Sequence, residues 1–298
     1  MLAGATPVLV HNCGGSSLDI DEELARLPEY PGSGPTTGHA VADNGQRYEL
    51  MSGRGNDGDL VDWVNSTLQD AGVLPGRSRS GRAVDVEQKF AAIMERDGIG
   101  HADLFINFPT GPCTVRAGCH EVLNVLLGGI APSRCTGLES EVVERMEGGV
   151  SVRARAEARY RVESGGNPEI LYGSEDIDAV IDALLVDQGG PIRETLAQIH
   201  SLEREMLPSG YPDHELMVGV DKDLQVGILS FMDGNGNSVT LGASEGRDDP
   251  VYYIEGHMTE FPACSEIPIS LVRQAAREFI SSGGQRPACV KWQPLTSW

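Results

Sequence analysis

The sequence predicts two domains: an α/β domain, then an α+β domain built on an antiparallel sheet. Three observations point there. At 298 residues the chain is long enough for two domains of ordinary size. Between residues 85 and 127 a helix, a buried strand, a loop and a second helix follow one another. Beyond residue 150 strand patterns come in succession, with helical patterns grouped beside them.

The elements follow from local pattern. Val86, Phe90, Ile93 and Met94, with Ala91 and Ala92, fall at i, i+4, i+7 and i+8, which predicts a helix over 85–96 with one buried face. Gly98 and Gly100 end it. Residues 102–108 read as a short, mostly buried strand, and Pro109-Thr110-Gly111-Pro112 as a loop. A second helix opens at Cys119 and runs to Leu127. Two glycines and a proline within 128–132 predict loop rather than strand there. Residues 150–162 alternate as an antiparallel strand does. Ser174-Glu175-Asp176-Ile177 caps a helix that ends at Leu185, and another helix is predicted over 191–206. Strands are expected at 215–220, 225–232, 238–243 and 251–261, with a turn at Asp233-Gly234-Asn235-Gly236. A helix over 270–280 follows Pro268, and 289–292 can add an edge strand.

Composition narrows the function. The net charge is −21. Residues up to Arg145 hold 11 basic and 20 acidic side chains (net −9), and those from Met146 hold 12 and 24 (net −12). Nucleic-acid binders are usually basic, and neither half is. A basic cluster, Arg77-Ser78-Arg79-Ser80-Gly81-Arg82, reads either as a solvated loop or as a phosphate contact through Arg77, Arg79 and Arg82. The acidic second half suits occupation of a site built for a polyanion. No run of 18 apolar residues predicts a membrane span, and the N-terminus lacks the pattern of a secretory signal. Six cysteines scattered over the chain form no disulfide framework and suit a reducing, cytoplasmic compartment.

The chemistry-bearing residues are Asp85, Glu87, Cys113 and Cys119. Pro112-Cys113, five residues and Cys119 follow Asp85-Val86-Glu87 by one helix and one strand. This resembles the two-part zinc signature of nucleobase deaminases, His-x-Glu then Pro-Cys with a second cysteine, except that Asp85 stands where His is expected. Water is a poor nucleophile at neutral pH, and a catalytic Zn²⁺ with three protein ligands and an open position makes it acidic enough to attack. Asp85, Cys113 and Cys119 supply that count, with Glu87 as the acid/base. Residues two apart do not share a helix face, so ligand and acid/base can approach from different sides. Spacing alone equally admits a Cys113–Cys119 disulfide, two unrelated thiols, and a helix N-cap at Asp85 with a first-turn carboxylate at Glu87.

Residues 27–127 resemble the DddA-like family of bacterial DNA cytosine deaminase toxins. The matching pieces are Leu27-Pro28-Glu29-Tyr30, Thr37-Gly38-His39-Ala40-Val41, Asn44-Gly45, Ser52-Gly53, Val86-Glu87-Gln88-Lys89, Leu104-Phe105-Ile106-Asn107 and Pro112-Cys113 with Gly118-Cys119. The resemblance implies an α/β/α, cytidine-deaminase-like N-terminal domain, a zinc cofactor, DNA as partner and substrate, and Asn107 at the substrate. It also implies use in interbacterial competition, the toxin being delivered into a target cell by a secreted carrier. Several family members have five residues between the cysteines.

Most of 150–294 resembles a family of immunity proteins encoded beside such toxins, on Ala158-Arg159-Tyr160, residues 174–182, Asp213-His214-Glu215-Leu216, Val226-Gly227-Ile228-Leu229 and Cys289-Val290-Lys291-Trp292. It implies contact with a deaminase, in cis or in a homologous toxin. Of the other candidates in this half, His214, His257 and Cys264 show no ligand spacing and read as packed or surface residues.

The expected organisation is a carrier remnant and linker at 1–17, the deaminase-like domain at 18–127, a linker at 128–149 and the immunity-like domain at 150–298. In the first segment His11, Asn12 and Cys13 resemble an autoprocessing junction, so this segment is expected to lie outside the fold. Met146 sits where a separate immunity protein could start, and 128–145 where the toxin's last strand is expected. A reading-frame slip near Leu127 would produce this arrangement. The functional alternatives are a zinc-dependent DNA cytosine deaminase inhibited in cis, or a catalytically impaired fusion that acts only by binding a toxin.

Overall fold

The structure is a computed structural model and describes residues 6–8, 19–128, 144–147, 150–186, 192–243, 246–296 and 298. The expected junction at His11, Asn12 and Cys13 and most of the linker lie outside the described residues.

The first half contains β1 (Thr6–Val8), α1 (Ile20–Ala25), β2 (Thr37–Ala42), β3 (Arg47–Met51), α2 (Gly58–Asp70), α3 (Val86–Asp97), β4 (Ala102–Ile106) and α4 (Cys119–Leu126). Its strands form one antiparallel sheet in the order β1-β4-β2-β3. Alternation along β2 sends its side chains to two layers. His39 turns to α1, where Glu23 accepts from it at 3.0 Å. Gly38 faces α3 so closely that a Cβ would stand 2.7 Å from Val86. The helical layer of α2, α3 and α4 closes a core around Val64, Leu68, Phe90, Leu104, Ile106 and Val122. One expectation is corrected here: Thr6–Val8 pairs with β4 as an edge strand, so these three residues join the fold. The open edge of β4 supplies backbone donors and acceptors, and an edge is where Pro7 is tolerated.

A two-stranded pair, β5 (Glu144–Glu147) and β6 (Val150–Arg153), precedes the second half. The second half then contains β7 (Ala156–Arg159), β8 (Glu169–Leu171), α5 (Asp176–Leu185), β9 (Leu196–Ser201), β10 (His214–Asp221), β11 (Val226–Asp233), β12 (Gly236–Thr240), β13 (Val251–Ile254), β14 (His257–Glu260), β15 (Ile267–Pro268), α6 (Ile269–Ser281) and β16 (Trp292–Pro294). The antiparallel sheet runs β16-β12-β11-β10-β9-β7-β8, with β15 added on β11. Helices α5 and α6 cover one face, burying Ile177, Val180, Leu216, Val218, Phe231 and Phe279.

Where a helix is expected over 191–206, the structure has the interior strand β9 at Leu196–Ser201. Ala197 and Ile199 face the helices. Leu196, Gln198 and His200 face the other way, and all are buried. A strand covered on both faces loses the simple polar-apolar alternation that marks a half-exposed one. The strand expected over 150–162 breaks into β6 and β7. The one expected over 251–261 folds back as the β13–β14 hairpin, whose register pairs Ile254 with His257.

The hairpin lies on the sheet face opposite the helices, and the two halves meet there. A single buried cluster joins Leu196, Met217, Ile228, Tyr252, Ile254 and Trp298 of the second half to Cys113, Val115 and Cys119 of the first.

Candidate active site beneath a hairpin

Asp85 sits at the N-cap position of α3 with extended backbone, φ −72° and ψ 149°, yet its side chain makes no capping hydrogen bond. It points to the cysteines: Oδ2 is 3.7 Å from Cys113 Sγ and 3.5 Å from Cys119 Sγ. Cys119 opens α4, and its backbone N–H donates to Cys113 Sγ at 3.2 Å. Gly118 permits this turn, since a Cβ there would stand 2.9 Å from Cys113 Sγ and 2.7 Å from the Val115 carbonyl. Both cysteines are free thiols, which removes the disulfide alternative.

The donor set fits a tetrahedral ion. Sulfur at about 2.3 Å and oxygen at about 2.1 Å from zinc lie about 3.6 Å from each other. The observed separations match, and one ligand atom from each of Asp85, Cys113 and Cys119 lies within 4.8 Å of the others. Glu87 extends from the first turn of α3, is 2 % exposed, and its Oε1 is buried without a hydrogen-bond partner. Burial first, then the charge of Asp85, pushes its carboxyl up to about 7. Burial pushes the Cys119 thiol well up. For Cys113 a hydrogen bond with Cys119 works downward, but burial and Asp85 outweigh it.

The other expected residues have different surroundings. Asn107 Oδ1 accepts from Thr37 N at 2.9 Å and its amide donates to the Pro28 carbonyl, so its polar atoms are held within the first half. Arg77 is exposed, with its backbone N–H donating to the Gly234 carbonyl. Arg79 pairs with Asp62, and its backbone exchanges hydrogen bonds with the Asn237 side chain. Arg82 is turned inward and 2 % exposed. The basic loop is therefore engaged by the β11–β12 turn of the second half.

His214 is a packed residue: Nε2 accepts from Ser201 N at 2.8 Å, Asp213 meets Nδ1, and burial holds its pKa down at about 4. Cys264 is half-buried. His257 has a larger part, because it belongs to the hairpin that covers the cluster. Its ring lies 4.2 Å from that of Phe108, and burial holds its pKa down at about 4.

The sequence did not reveal this cover. The turn between β13 and β14 is Glu255-Gly256, both with positive φ, 50° and 80°. Such a turn favours Asn or Gly at its first position. Glu255 is nevertheless there, 3 % exposed, and its carboxylate accepts from Thr114 N at 2.7 Å and Thr114 Oγ1 at 2.9 Å, beside Cys113. Tyr30 donates to the Gly256 carbonyl at 3.3 Å. Arg82 donates to the Met258 carbonyl at 3.0 Å and to Thr259 Oγ1. Trp298 lies 3.5 Å from the Cβ position of Gly81 and donates to the Glu260 carbonyl at 3.1 Å. Beside the hairpin, Gln198 exchanges hydrogen bonds with the Arg116 backbone at 2.9 and 3.0 Å. The outcome is burial: Asp85, Glu87, Cys113 and Cys119 are at most 3 % exposed. The left-handed backbone that marks Glu255 is a property of the structure, since φ is not legible from residue type.

Residues 20–129 match the SCP1.201-like deaminase family. Residues 165–294 match the family of immunity protein Imm1. Among curated proteins none matches the chain. No helix among the described residues is long and apolar enough to cross a membrane.

Proposed function

From a chain that joins a deaminase-like domain to an immunity domain, we propose a zinc-dependent cytosine deaminase acting on DNA, held inactive in cis by its own immunity half. Asp85, Cys113 and Cys119 would hold the metal, since their separations suit it. When bound, zinc supplies the Lewis acidity that makes water a competent nucleophile near neutral pH. Glu87 is the proton carrier. Its buried carboxylate takes a proton from the attacking water and delivers it to the departing 4-amino group. Cytosine loses ammonia, gains oxygen from water and becomes uracil, with no change of oxidation state.

The observation that carries the inhibited reading is Glu255 on Thr114, beside Cys113. A base cannot reach the cluster while the hairpin stays there. The domain division proposed is 18–127 for the deaminase and 150–298 for the immunity half, with 128–149 between them.

The experiment measures zinc content and uracil formation on single- and double-stranded DNA by the full chain, by Glu255→Gly combined with Trp298→Ala, and by both combined with Glu87→Ala. Stoichiometric zinc, low activity in the full chain, a gain in the double variant and its loss with Glu87→Ala are expected. Absence of zinc, or no uracil from a double variant whose hairpin is open, refutes the enzyme reading. That result would favour the second reading, an immunity-only fusion, for which the specific observation is Asp85 at the position where a deaminase signature carries histidine.

A further inference from the structure

Three ligands that are all anionic when they hold a dication leave the group with a net charge of about −1, and Glu87 adds a further carboxylate beside it. An uncompensated buried charge is costly. One cation is placed to offset it. Arg82 is 2 % exposed, and its Nη1 lies 3.6 Å from Asp85 Oδ1. Asp85 is thus used from both sides: Oδ2 faces the sulfurs and Oδ1 faces Arg82.

The hydrogen-bond acceptors of the Arg82 guanidinium are in the other half. Its Nη2 donates to the Met258 carbonyl at 3.0 Å and to Thr259 Oγ1, both on β14, whereas Nε and Nη1 are buried without a hydrogen-bond partner. Its backbone N–H is fixed by Ser80 Oγ at 3.1 Å. The guanidinium is therefore suspended between a metal ligand and the inhibitory hairpin.

We propose that Arg82 is a positioning residue that couples metal ligation at Asp85 to docking of the 251–260 hairpin. The hairpin seats the guanidinium, and the guanidinium orients the second oxygen of Asp85 and offsets the charge of the ligand set. Outer-shell partners of ligands do this in metal sites generally. Coupling between two binding events is reciprocal, so metal tightens the hairpin as the hairpin tightens the metal. The inference rests on the metal reading above.

The test uses the full chain loaded with Co²⁺, whose visible bands report ligand geometry, and Zn²⁺ affinity measured against a chelator. Arg82→Met removes charge and fork, Arg82→Lys returns the charge alone, and Thr259→Val leaves Arg82 but removes its hydroxyl acceptor. Zn²⁺ affinity should fall about 10- to 100-fold in Arg82→Met, the range of outer-shell substitutions. A smaller loss is expected in Thr259→Val, with partial recovery in Arg82→Lys and altered Co²⁺ bands in all three. Metal should also slow amide exchange at 258–260 in the wild type more than in Arg82→Met. Folded Arg82→Met and Thr259→Val proteins with wild-type affinity and bands overturn the coupling and leave the metal reading standing. Should Arg82→Met not fold, Thr259→Val decides. A wild type that takes up no metal fells both.

Discussion

Replacing Glu255 with glycine sets two explanations of the hairpin against each other with opposite signs. If Glu255 only closes a turn, glycine is the better residue. Left-handed backbone at a non-glycine costs about 1–3 kcal/mol, and glycine returns that less about 0.5–1 kcal/mol of backbone freedom. The hairpin would then dock more firmly. If the carboxylate anchors the hairpin, glycine removes two hydrogen bonds to a charged acceptor, at 2.7 and 2.9 Å. These are worth about 1.5–3 kcal/mol each. Taking the lower figure for each bond and subtracting about 1 kcal/mol of relieved strain leaves about 2 kcal/mol against docking, roughly 30-fold in the opening equilibrium at about 1.4 kcal/mol per tenfold. Thiol labelling of metal-free protein reads this, because Cys113 and Cys119 are 1 % and 0 % exposed beneath the hairpin. Peptide mass spectrometry separates them from the half-buried Cys264 and Cys289. Labelling of Cys113 and Cys119 should quicken about 30-fold while that of Cys264 and Cys289 stays unchanged. Unchanged or slower labelling of Cys113 and Cys119 would refute the anchoring role.

Two further outcomes are expected. Burial raises the Glu215 carboxyl to about 7 from 4.5, so the folded state holds its proton more tightly than the unfolded one; this contribution is full below pH 4.5 and lost as pH rises through about 7. Glu215→Gln should therefore gain on the wild type between pH 5 and pH 8, by at most about 3 kcal/mol at 1.36 kcal/mol per pH unit, read from urea melts; an equal difference at both pH values contradicts it. Gly118→Ala drives a methyl group against the Val115 carbonyl and Cys113 Sγ, which stand 2.7 and 2.9 Å from its Cβ position. Its cost should be about 1–3 kcal/mol together with lost zinc affinity, and a variant with unchanged melting and zinc content would show that the loop has room to spare.

The stretch from α3 to α4 was legible because its information is local. Apolar spacing placed α3, buried residues placed β4, and the cysteine pattern placed the opening of α4, so Asp85, Cys113 and Cys119 could be grouped before their distances were known. Pattern could not tell a cap from a ligand at Asp85. That choice depends on where the side chain turns, and it turns to sulfurs 28 and 34 residues away. The interior strand β9 has both faces covered, which removes the alternation that identifies a strand.

By itself the sequence determined a two-part division, the helices α3 to α6, the strands β4, β10, β11 and β12, and the residue types able to hold a metal and move a proton. These follow from periodicity and side-chain chemistry, which operate over a few residues. Only the tertiary structure decided what is done with them. Glu255 reaches Thr114 across 141 residues, and Arg82 reaches Met258 and Thr259 across 176 and 177. Such contacts leave no periodic trace, because they arise where two independently patterned surfaces meet and exclude water. The basic loop that reads as either a solvated loop or a phosphate contact is turned against the second half in this way, and the cluster of Asp85, Glu87, Cys113 and Cys119 is buried under a hairpin.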